Sequence, residues 1–69
     1  MAKNKKDLPP LNFIYKNWQG EIAERKIIPI KIWYGKTDFH PKKQWFLKAL
    51  DLDKKAERDF AVNDIQKFL

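Results

Sequence analysis

The chain has 69 residues, room for one domain, and a net charge of +6 from 15 basic and 9 acidic side chains. That balance points to anionic partners such as nucleic acid, nucleotides or acidic protein, or else to a solvated lysine-rich surface, since only Arg25 and Arg58 are arginines. Without cysteine there is no disulfide or thiolate metal site, and the lone His40 argues against an imidazole-rich one; without serine or cysteine, and with two glycines, neither of the commonest nucleophiles nor a glycine-rich phosphate loop is present. The composition therefore points to a non-enzymatic protein that needs no cofactor.

Residues 1–10 read as a flexible basic arm, with Lys3, Lys5 and Lys6 and no apolar periodicity. The arm is expected to act as a soluble tail or to add weak attraction to phosphates. No apolar h-region follows the basic start and no apolar run approaches a membrane span, so the expected compartment is the cytoplasm. Pro9-Pro10 stiffens the chain and excludes a helix, and the domain is expected over 11–69.

Alternation marks the strands. Leu11, Phe13 and Tyr15 alternate with Asn12, Ile14 and Lys16, and the run ends in Asn17-Trp18-Gln19-Gly20, a reversal. A return strand is expected over 21–28, with Glu24 and Lys26 on its exposed face. Pro29 interrupts the ladder because it lacks an N–H, and a separate third strand with Ile30, Ile32 and Tyr34 on one face ends at Gly35. Residues 36–43 form a loop holding the only histidine, read as structural or exposed. Gln44-Trp45-Phe46-Leu47-Lys48-Ala49-Leu50 is the most strand-like run in the chain. Trp45, Leu47 and Ala49 form the face expected to be buried; Phe46, Lys48 and Leu50 form a half-wet one. Asp51-Leu52-Asp53-Lys54-Lys55 is a polar turn, after which Arg58, Phe60 and Val62 alternate as a further strand. Asn63 as an N-cap, with Ile65, Phe68 and Leu69 at helical spacing, predicts a short C-terminal helix.

The Trp45-Phe46-Leu47 triplet resembles the Trp-Tyr-Leu signature of the WYL domain, with Phe for Tyr. Ala49 and Leu50 continue the strand as in that family, and Arg58-Asp59-Phe60-Ala61-Val62-Asn63-Asp64-Ile65 follows its Arg-x-Phe-x-Leu-x-Arg-Ile element, departing at Asp64. Upstream, Phe13-Ile14-Tyr15-Lys16, Gly20 and Glu24-Arg25-Lys26-Ile27-Ile28-Pro29 follow the family's order, with Ile14 in place of its frequent small hydroxyl residue. The resemblance covers 12–65. Phe39-His40-Pro41 stands where family members often have a glycine-rich connection.

The resemblance implies an all-β fold, a small five-stranded SH3-like or Sm-like barrel, here closed by the short terminal helix. It also implies an effector-sensing role, usually beside a DNA-binding helix-turn-helix that this chain lacks. The expectation is a bacterial or phage stand-alone regulator in transcription or defence. It would bind an anionic ligand, a nucleotide or single-stranded nucleic acid, and act through a regulator protein or by self-association. Aromatic rings beside cations on a sheet face stack bases and hold the backbone. The candidate ligand residues are therefore Tyr15, Lys16, Arg25, Phe46, Lys48 and Arg58, with the two arginines foremost. The competing expectation is a protein–protein interaction module without a ligand site, in which Tyr15 and Phe46 are core, the lysines only solvate a sheet face, and Arg58 pairs with a nearby carboxylate.

Overall fold

A computed structural model describes residues 10–69. The proposed arm, with Lys3, Lys5 and Lys6, falls almost wholly outside the described residues. The chain folds as five antiparallel strands: β1 (Leu11–Lys16), β2 (Ile22–Gly35), β3 (Gln44–Asp51), β4 (Ala56–Ala61) and β5 (Ile65–Phe68). They form one sheet in the order β4-β3-β2-β1-β5. No helix among the described residues is long and apolar enough to cross a membrane.

The strand count agrees with expectation, but two of the five differ. The segments expected on either side of Pro29 are one 14-residue strand, β2. Its first half pairs with β1, from Lys16–Ile22 to Leu11–Ile27. From Ile27 onward it pairs with β3, and the register slips between Pro29 and Lys31. The irregularity absorbs the missing proline N–H, so Pro29 bends the strand without ending it. The expected C-terminal helix is instead a 3-10 turn, Val62–Asp64, followed by β5 along the free edge of β1. Nucleating a helix in so short a segment is unfavourable, whereas an open strand edge offers unpaired backbone groups at once.

The sheet curls on itself. Phe60 on β4 meets Phe13 and Tyr15 on β1, with ring centroids 5.3 and 5.0 Å apart, although β3 and β2 lie between those strands in the sheet. The Tyr15 hydroxyl accepts a hydrogen bond from the Ala61 N–H at 2.9 Å. Edge strands β4 and β5 do not pair, so the sheet is not closed into a barrel. Its inner face is the core: Phe13, Tyr15, Ile27, Leu47, Ala49 and Phe60.

A second, smaller cluster lies on the other face. Phe46 is fully buried there, its ring stacked 4.8 Å from Trp33, and the Trp33 indole N–H donates to Asp59 at 2.8 Å. The expected burial of Trp45 is reversed: it is 55% exposed, although Leu47 and Ala49 on the same face are buried. The β3–β4 ladder stops at the Phe46–Ala61 pair, which leaves Trp45 beyond it with Tyr34 beside it at 5.2 Å. Gly35 is required by the same cluster, because a Cβ there would lie 2.6 Å from the Trp33 ring.

Candidate functional site

Directly opposed residues of an antiparallel pair share a face. Arg25 stands opposite Phe13, and Arg58 opposite Ala49. Both arginines therefore project from the core face, and the curl of the sheet brings them to one cleft of about 460 Å³ with Tyr15 between them. Two loops complete the cleft. In the β1–β2 turn, the Asn17 side-chain oxygen accepts from the N–H groups of Gln19 and Glu21, and Gly20 takes φ +84°. That fixed reversal presents Trp18. In the β2–β3 loop, Thr37 and His40 exchange backbone hydrogen bonds at 3.0 and 3.2 Å. The His40 ring lies 5.8 Å from the Phe46 ring and 3.3 Å from the Asp64 carboxylate. The loop so anchored presents Phe39, which stacks on Trp18 with centroids 5.3 Å apart and planes at 28°.

The two arginines differ in partners. Arg25 lies 3.9 Å from Asp51, a fully buried carboxylate whose other oxygen accepts from the N–H groups of Asp53 and Lys54. Arg25 Nε and Asp51 Oδ2 are both buried without a hydrogen-bond partner. Arg58 is exposed and, among the described residues, has no carboxylate within 4.0 Å. Asp38 and Glu57, also on the cleft, have no ion-pair partner among the described residues either. The site thus offers an unengaged guanidinium, unengaged carboxylates and a flat aromatic rim. Among the described residues no group of three side chains of metal-binding type comes together.

Of the six residues expected at a ligand site, the structure brings together Tyr15, Arg25 and Arg58. Phe46 is buried under Trp33 and His40 and presents no ring to a ligand. Lys48 pairs across the ladder with Asp59, on the face away from the arginines. Lys16 is exposed at the end of β1 and does not line the cleft. Trp18, Phe39 and His40 line the cleft as well, beyond the residues that the sequence pattern points to. The available signal was two aromatic residues placed in polar turns, where core packing does not call for them.

Burial raises the Tyr15 phenol above its ordinary value of 10.0, against the opposing effect of the hydrogen bond from Ala61. The phenol stays protonated in the fold while the unfolded chain begins to ionise near pH 10. Its contribution to stability is therefore complete below pH 10 and is lost as pH rises through the higher folded value. Tyr15→Phe should cost about 1–3 kcal/mol at neutral pH by orphaning the Ala61 N–H. The gap between wild type and variant should narrow above pH 10; urea titrations from pH 8 to 11 measure it, and a widening gap would contradict this.

No family model matches the sequence, and the searches of curated proteins and of solved structures likewise returned no match.

Proposed function

We propose that the chain is a small non-enzymatic sensing module of the WYL type, which binds an anionic ligand, a nucleotide or single-stranded nucleic acid, in the cleft between β1 and β4. It passes the signal to a partner protein in transcriptional or defence regulation, in the cytoplasm. The observation that carries this reading is Arg58: a guanidinium without a carboxylate partner among the described residues, on a cleft shared with Tyr15 and Arg25 and rimmed by exposed rings. The curl that lays Phe60 over Phe13 supports the SH3-like or Sm-like barrel implied by the family resemblance, in an open form.

Arg58→Ala should weaken binding by about 1.5–3 kcal/mol, the worth of charge-assisted hydrogen bonds, and leave the fold intact. Arg25 faces Asp51, which leaves Arg58 as the one unengaged guanidinium on the cleft among the described residues, so a single strand bound there should show a log K against log salt slope of about −0.7, the value for one phosphate contact. Calorimetric titration at several salt concentrations tests both. Unchanged affinity in the Arg58→Ala variant would reject the site.

A second reading is favoured by another surface. Ile32, Tyr34 and Trp45 share one side at the Gly35 end of β2 and β3 and are 61, 55 and 55% exposed. In that reading the chain is a protein–protein interaction module and the cleft binds nothing. Absence of binding by every anion tried at low salt would favour it.

A further inference from the structure

We propose that the ligand is a single nucleotide carrying one phosphate group, with its base laid on the Trp18–Phe39 pair and its phosphate at Arg58; this rests on the cleft being an anion site. Two rings that stack on each other and are still 57 and 62% exposed keep faces and edges open to a third planar group. Base–aromatic stacking is favourable for any base, because each has a π-face. The platform is held from both sides, by the asparagine-capped turn under Trp18 and by the Thr37–His40 turn under Phe39. It lines the same cleft as Arg58, and a cleft of about 460 Å³ is the size of a small-molecule site.

The charges separate one nucleotide from a strand. Asp38 and Glu57 line the same cleft as Arg58. Successive phosphates would lie against those carboxylates, and like charges brought together at an interface cost binding energy. Among the described residues no lysine lines the cleft to extend a phosphate track; Lys48 is on the opposite face and Lys16 off the cleft. A nucleoside monophosphate avoids the conflict. Its phosphate occupies Arg58, and the amino group of its base can donate to a carboxylate, which only accepts. Adenine, guanine and cytosine carry such an amino group and uracil does not, so UMP should be the weakest of the four monophosphates.

The test titrates the full chain with AMP, GMP, CMP, UMP, ribose 5-phosphate and a single-stranded DNA octamer, following the indole N–H resonances. AMP should bind about tenfold more tightly than ribose 5-phosphate. Trp18→Ala should weaken AMP about tenfold, as expected for the loss of one stacked base. Trp18→Phe should keep most of the affinity, and neither variant should alter ribose 5-phosphate binding. Equal binding of AMP and ribose 5-phosphate, with Trp18→Ala unchanged, would overturn the base platform and leave the anion site standing. An octamer bound more tightly than AMP, with a salt slope steeper than about −1, would overturn the single-nucleotide assignment in favour of a strand. Failure of every probe to bind would remove the anion site as well.

Discussion

Phe60→Ala should leave the chain unfolded in water at 25 °C. Phe60 is 2% exposed and its ring meets Phe13 and Tyr15 edge to face, so it joins the β4 edge to β1 across the curl. Truncating a buried phenylalanine costs about 3–5 kcal/mol. A core in a domain of this size supplies about the same amount, with no disulfide to add to it. Trp45→Ala is the control. The larger ring is lost, but from an exposed position with Tyr34 as its aromatic neighbour, and the cost should stay near 1 kcal/mol. Urea denaturation followed by circular dichroism ranks the two, and the reverse ranking would mean that the core lies on the other side of Trp45.

Arg25→Ala and Arg58→Ala should separate sharply in stability although both residues line the cleft. Removing Arg25 leaves the Asp51 carboxylate buried without its counter-ion, and breaking such a pair costs about 3–5 kcal/mol. The 3.9 Å separation and the unpartnered Arg25 Nε and Asp51 Oδ2 place the expected cost at about 3 kcal/mol, the lower end. Asp51→Ala should be at least as damaging, because the N–H groups of Asp53 and Lys54 lose their acceptor too. The combined change Arg25→Met with Asp51→Asn removes both charges and keeps the side-chain oxygen that the turn uses. It should recover most of the stability lost in Arg25→Ala. Arg58→Ala should shift stability by no more than about 0.5 kcal/mol, as an exposed side chain without an ion-pair partner among the described residues. Thermal unfolding of the four variants tests the set. If Arg25→Ala is neutral, Arg25 is free to bind a ligand as Arg58 is.

Local alternation carried much of the fold. β1, the β3–β4 hairpin, the polar turn at Asp51 and the 36–43 loop could all be read from residue order, because each is set by period-two patterning and turn chemistry over a few residues. The elements that differ from the local pattern share a cause: each depends on a partner distant in sequence. Pro29 reads as a break until β3 is available to pair on both sides of it. Ile65, Phe68 and Leu69 fit a helical spacing, and nothing local reveals that β1 has a free edge. Period two groups Trp45 with Leu47 and Phe46 with Lys48, but it does not say which face stays dry at the end of the strand. That is decided by where β4 stops and by the Trp33 and His40 rings that cover Phe46.

The candidate site was half legible for similar reasons. Arg25 and Arg58 stand out as the only arginines, and Tyr15 as the polar end of an apolar strand face. Their convergence depends on the curl. The division of labour between them, one facing buried Asp51 and the other unengaged, appears only with the side chains in place. Trp18 and Phe39 are 21 residues apart in separate turns, and no periodicity links them.

An anion should bind between the strands at Arg58 and not over the lysine-rich surface at large. A chemical-shift map of the uniformly labelled chain titrated with AMP at low salt tests it most directly. Saturable shifts should concentrate at Trp18, Phe39, Tyr15 and Arg58, with little change at Lys31 and Lys48. Shifts spread over those lysines without saturation, and silent at Arg58, would contradict it.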